Sequence, residues 1–157
     1  MKLCMIGTGY VGLVSGACFS DLGNDVVCVD KDENKINNLK NSIIPIYEPG
    51  LEELVKKNYK AGRLSFTTDL SDAVKNSKII FICVGTPTKK NGIGADLNQI
   101  FNVSKKLSNY IKTFKIIINK STVPVTTGDK VENIISKKTK IGIKPKKLPT
   151  KIKKKSV

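Results

Sequence analysis

Six residues near the start of the chain, Gly7-Thr8-Gly9-Tyr10-Val11-Gly12, and an acid eighteen positions further on, Asp30, have the types and spacing to hold a dinucleotide. The chemistry they offer is charge recognition. Gly7 permits a tight turn out of a strand, Gly9 removes the β-carbon that would hold a pyrophosphate off the backbone, and Gly12 lets a helix pack close to the sheet. The phosphates then meet the free amides of the first helix turn, opened by Tyr10 and Val11, and the positive end of the helix dipole. A carboxylate such as that of Asp30 accepts hydrogen bonds from the adenosine ribose and repels the extra phosphate of NADP, so NAD is the expected ligand. Lys31 and Lys35 stand close enough in sequence to soften that repulsion.

Strands on either side must position these residues. Lys2-Leu3-Cys4-Met5-Ile6 reads as a first strand and Val26-Val27-Cys28-Val29, ending in Asp30, as a second. Between them Val11, Val14, Cys18 and Leu22 recur at helical spacing and predict the buried face of a helix that Gly23-Asn24 stops. Asp32 is placed to cap a helix carrying Ile36 and Leu39, and a further helix is expected over residues 51–59 with Gly62 beyond it. Residues 63–67 alternate like a strand, and Asp69 caps a short helix. Residues 78–84 form an apolar run suited to a parallel strand buried on both faces, and residues 115–119 read as another. Between those two runs Asp96 is expected to cap a helix striped by Ile100, Val103, Leu107 and Ile111. A last helix is predicted over residues 127–136, burying Val131, Ile134 and Ile135.

Two of these strands end in hydroxyl-bearing segments, Gly85-Thr86-Pro87-Thr88 and Ser121-Thr122-Val123-Pro124. In doubly wound sheets ligands collect at the carboxyl ends of strands, so both threonines are candidates for the same crevice as the glycine-rich turn. The expected fold is therefore α/β, a Rossmann-like doubly wound parallel sheet over residues 1–136.

Composition narrows the remaining classes. At 157 residues the chain suits one domain, and no apolar run approaches the roughly 20 residues that span a bilayer. No signal peptide is read at the N-terminus, so cytoplasm is the expected location. Cys4, Cys18, Cys28 and Cys83 lack metal-ligand spacing and the chain has no histidine, so no metal site is expected. Three of those cysteines lie in strand-like runs, as small buried hydrophobes do. The net charge of +15 is unevenly spread: residues 1–136 hold 18 basic and 13 acidic residues, whereas residues 137–157 hold ten lysines and no acid. Nucleic-acid binding by the core is not expected from that distribution. The basic segment lacks acids, aromatics and apolar periodicity, and is expected to be disordered.

The separated motifs Gly7-Thr8-Gly9-Tyr10-Val11-Gly12-Leu13-Val14, Asp30 with Lys35, Pro45-Ile46-Tyr47-Glu48-Pro49-Gly50-Leu51, Val84-Gly85-Thr86-Pro87-Thr88 and Lys120-Ser121-Thr122-Val123-Pro124 closely resemble the UDP-glucose 6-dehydrogenase branch of the nucleotide-sugar dehydrogenases, from Met1 to about Ser136. The resemblance implies that Val11, Asp30, Lys35, Thr86 and Thr122 contact NAD, with Thr122 near the reacting sugar carbon. It implies an NAD-dependent oxidoreductase that converts UDP-glucose to UDP-glucuronate: a cysteine captures the intermediate aldehyde and a second NAD oxidises the adduct. The family's nucleophilic cysteine and sugar-binding domain are not matched here, and the four cysteines present belong to the nucleotide fold. No catalytic residue is assigned. Members of the family form homo-oligomers through contacts largely in the unmatched part.

Three readings follow: the cofactor domain of the family enzyme, which meets UDP-glucose only if the missing domain is supplied; a truncated, inactive fragment that binds NAD; or a small NAD-binding module whose basic tail holds a polyanion. The richness in lysine, asparagine and isoleucine suits AT-rich coding DNA, and a frameshift near codon 137 would produce such a tail. An exposed sheet edge and an uncovered apolar face are expected in the shortened domain.

Overall fold

The computed structural model describes residues 1–90 and 92–139. Five strands form one all-parallel sheet: β1 Lys2–Ile6, β2 Asp25–Val29, β3 Leu64–Thr67, β4 Ile79–Ile82 and β5 Ile116–Asn119, in the order β3-β2-β1-β4-β5. Helices α1 Tyr10–Asp21, α2 Glu33–Lys40 and α3 Leu51–Lys60 cover one face. Helices α4 Leu70–Asn76, α5 Asn98–Tyr110 and α6 Thr127–Ser136 cover the other. Strand order reverses between β1 and β4, the switch point at whose carboxyl edge doubly wound sheets form their ligand crevice. The expected Rossmann-like architecture is the one observed.

Alternation along the strands splits the core in two. Leu3, Met5, Val26, Cys28 and Phe81 meet α1–α3, while Cys4, Ile6, Val29, Ile80 and Ile82 meet α4–α6. Each fully buried aliphatic side chain contributes about 1.5–3 kcal/mol. The caps are local: Asp32 accepts the Lys35 N–H at 3.1 Å and Asp69 the Asp72 N–H at 3.0 Å. No helix among the described residues is long and apolar enough to cross a membrane.

Helix α1 departs from the face its hydrophobic spacing predicts. Val11 and Cys18 are exposed, Val14 is half-buried, and Leu22 lies past the helix at 76% exposure; the buried face is Gly12, Leu13, Gly16, Ala17 and Ser20. Small residues win because the helix lies almost on the sheet. A β-carbon on Gly12 would stand 1.8 Å from the Gly7 carbonyl oxygen, and one on Gly16 2.7 Å from Cys28 Sγ. Hydropathy gives no weight to that closeness of approach.

Three smaller differences follow from neighbours. Strand β5 is an edge among the described residues, with Ile116 41% and Ile118 36% exposed, because α1–α3 cover β1–β3 and do not reach it. The exposed edge expected of this domain is thus present, but the fully buried strand expected over residues 115–119 is not. Helix α5 begins one residue later than a cap at Asp96 would place it, with Leu97 at the N-cap and Asp96 Oδ1 accepting the Asn98 N–H at 2.9 Å. Ile134 is half-buried, while Val131 and Ile135 are buried. Residues 137–139 continue from α6 through bonds back to Asn133 and Ile135. The rest of the basic segment, from Lys140, for which disorder is expected, lies outside the described residues.

Candidate dinucleotide site

The turn from β1 into α1 sits where the crevice opens. Gly7 has φ +103, a left-handed conformation, and its N–H donates to the Val29 carbonyl at 2.7 Å; an added β-carbon would lie 2.8 Å from the Cys83 carbonyl oxygen. The first intrahelical bond of α1 runs from the Leu13 N–H to the Gly9 carbonyl at 2.9 Å. The preceding amides, of Tyr10, Val11 and Gly12, therefore have no acceptor within the helix. A β-carbon on Gly9 would meet nothing within 4 Å. That is open space in front of donors and a helix dipole, which fits a pyrophosphate.

Asp30 follows directly on β2 beside this turn. Its Oδ2 accepts the Thr8 N–H at 2.9 Å and the Thr8 hydroxyl at 2.8 Å, with Lys35 Nζ at 3.5 Å. Burial favours its neutral form, but the two Thr8 donors, the Asp32 N–H and the Lys35 charge outweigh that and lower its pKa. The carboxylate is therefore ionised and able to accept from a ribose.

Across the crevice, Thr86 Oγ1 donates to the Thr122 carbonyl at 3.1 Å, and Ser121 Oγ donates to the Val84 carbonyl at 2.7 Å. The structure thus brings the turns after β4 and β5 together, as the matching placement of the threonines suggests. Lys35 is drawn in through Asp30. Tyr10 and Val11 are both exposed at the start of α1.

Two contacts were not legible from spacing. Thr8, buried inside the glycine-rich turn, is the partner of Asp30; parallel pairing of Ile6 with Val29 brings them together, and that register was the signal available. The Tyr10 hydroxyl donates to Glu48 Oε2, tying the loop of residues 41–50 to the start of α1 and raising the Tyr10 pKa through that bond. Burial favours the protonated form of the core thiols. Burial, with Cys83 adding to it, pushes Cys4 up to about 12, and burial pushes Cys83 up to about 11 despite Lys120.

A parallel doubly wound sheet with amides, glycine-rich turn and acid at its switch point defines a dinucleotide-binding domain of the dehydrogenase type. Comparison with known proteins gives the family: the model of the UDP-glucose/GDP-mannose dehydrogenase family, NAD binding domain, matches residues 1–152, and the chain belongs to that family. Its cofactor is accordingly NAD. UDP-glucose 6-dehydrogenase of Rhizobium meliloti is 54% identical over 135 residues, covering 86% of this chain and 31% of the relative. UDP-glucose 6-dehydrogenase TuaD of Bacillus subtilis is 53% identical over 139 residues, covering 88% of this chain and 30% of the relative. Among solved structures, a ternary complex of GDP-mannose dehydrogenase from Pseudomonas aeruginosa superposes with a TM-score of 0.84 at 39% identity, covering 88% of this chain and 33% of that one. The chain spans about a third of the length of the relatives it matches.

Proposed function

We propose that these residues form the cofactor half of a dehydrogenase that oxidises UDP-glucose to UDP-glucuronate, with NAD held by Gly7, Gly9, Tyr10, Val11, Gly12, Asp30, Lys35, Thr86 and Thr122. The observation that carries the reading is the pairing of an ionised Asp30 with the free first-turn amides of α1, one suited to ribose hydroxyls and the other to phosphates. NAD supplies a hydride acceptor; the protein's part is to bind and orient it. The choice of UDP-glucose rests on the relatives, which bear that name.

This reading gives Thr86 and Thr122, joined by the Thr86 hydroxyl bond to the Thr122 carbonyl, to the nicotinamide half, and assigns no residue here to the chemical step. Residues for the sugar-binding half of the reaction are not assigned among these 157, and on this reading these residues by themselves bind NAD without turning over UDP-glucose. The cofactor unit comprises residues 1–136. A cytoplasmic location and a homo-oligomeric state of the whole enzyme accompany this reading.

Calorimetric titration with NAD and NADP, followed by initial rates with UDP-glucose and NAD, tests it. NAD should bind more tightly than NADP, with no sustained NADH production. Equal affinity for NADP would remove the role given to Asp30, and steady NADH formation by the pure chain would overturn the inactive reading.

A further inference from the structure

Thr8 occupies the first variable position of the glycine-rich turn, where the turn itself requires no hydroxyl. Its side chain is 0% exposed, and a buried hydroxyl is tolerated where it is hydrogen-bonded. Its partner is Asp30, 22 residues away in sequence. The Thr8 N–H, the Thr8 hydroxyl and Lys35 Nζ all converge on Asp30 Oδ2, at 2.9, 2.8 and 3.5 Å. Among the described residues, Oδ1 receives only the Asp32 N–H, at 3.3 Å. The two carboxylate oxygens are therefore unequal: one is bound into the turn, the other keeps acceptor capacity.

We propose that Thr8 is a specificity-positioning residue, whose hydroxyl clamps Asp30 Oδ2 and so presents Oδ1, in a single orientation, to the ribose diol of the adenosine. The inference rests on the dinucleotide reading of this crevice. An unclamped aspartate would lose rotamer freedom on binding a diol, whereas here that freedom is already lost on folding. The clamp also holds the charge in place: an aspartate unable to swing aside cannot make room for a 2′-phosphate. Because the Thr8 N–H is committed to Asp30, phosphate binding falls to the amides of Tyr10, Val11 and Gly12. The donors on Oδ2 favour the ionised form, in line with the lowered pKa of Asp30.

The test is calorimetric titration of the wild-type chain, Thr8→Val and Thr8→Ser with NAD, NADP, AMP and 2′,3′-dideoxy-AMP. Thr8→Val keeps the backbone bond and removes the hydroxyl. It should weaken NAD and AMP about tenfold, leave dideoxy-AMP unchanged, and narrow the NAD-to-NADP ratio. It should also move the acid limb of NAD binding to higher pH, and Thr8→Ser should restore all of these. Equal weakening of AMP and dideoxy-AMP, or a lower melting temperature with an unchanged NAD-to-NADP ratio, would overturn the proposal by making Thr8 merely structural. Thr8→Ala, which adds no volume, carries the same comparison if valine prevents folding. A wild-type chain that binds none of the four ligands would instead overturn the dinucleotide reading beneath it.

Discussion

The hydroxyl of Thr86 donates to the backbone carbonyl of Thr122 at 3.1 Å, joining the turns that follow β4 and β5 across 36 residues of sequence. That bond ties the two turns together at the carboxyl edge of the sheet. Replacing Thr86 with valine should therefore weaken NAD while leaving AMP untouched, since AMP lacks the nicotinamide half. Titration of both ligands checks it, and equal weakening would place Thr86 outside the nicotinamide end.

Gly9 and Gly12 should fail in different ways. Gly9 has φ −72 and open space where its β-carbon would stand, so Gly9→Ala should fold with an unchanged melting temperature and bind NAD about tenfold or more weakly. Gly12→Ala would put a β-carbon 1.8 Å from the Gly7 carbonyl oxygen unless the helix shifts, and should lower the melting temperature sharply or prevent folding. Thermal melts with and without NAD separate the two effects.

The Asp30 carboxylate sets the acid dependence. Its pKa is lowered in the folded chain, so its contribution to stability is complete above its ordinary value and is lost as pH falls through the lowered one. NAD binding should accordingly persist through the ordinary carboxylate range and fail only below it. Asp30→Asn should abolish that acid limb, as a titration series in pH would show.

Tyr10 should act on the loop rather than on the core. Because its hydroxyl bonds to Glu48 at the protein surface, Tyr10→Phe should release residues 41–50 to faster proteolysis and hydrogen exchange without unfolding the sheet. Equally slow proteolysis and exchange of the loop in both proteins would show that its hold comes from other contacts, such as the packing of Ile44 and Ile46 against the core.

Beside the edge that β5 forms among the described residues, Ile116 and Ile118 are exposed on the part of the sheet face that α1–α3 do not cover. Ile118→Lys, at a position 36% exposed, should reduce self-association in light scattering with little change in melting temperature.

Much of this protein was determined by its sequence alone. Strands with alternating or continuous apolar residues, aspartate caps at Asp32 and Asp69, and the glycine-rich turn are local, so propensity and periodicity suffice to place them. The candidate residues for the phosphates and the ribose were legible for the same reason: each requirement, a missing β-carbon or a carboxylate, is met by one residue type. Tertiary structure decided the rest. The buried face of α1 went to Gly12, Gly16 and Ala17 because closeness to the sheet outweighed hydropathy, and the exposure of β5 depends on which helices reach it. Thr8 meets Asp30, Tyr10 meets Glu48 and Thr86 meets Thr122 only after strands pair in register and loops return to one edge, because each bond joins residues far apart along the chain.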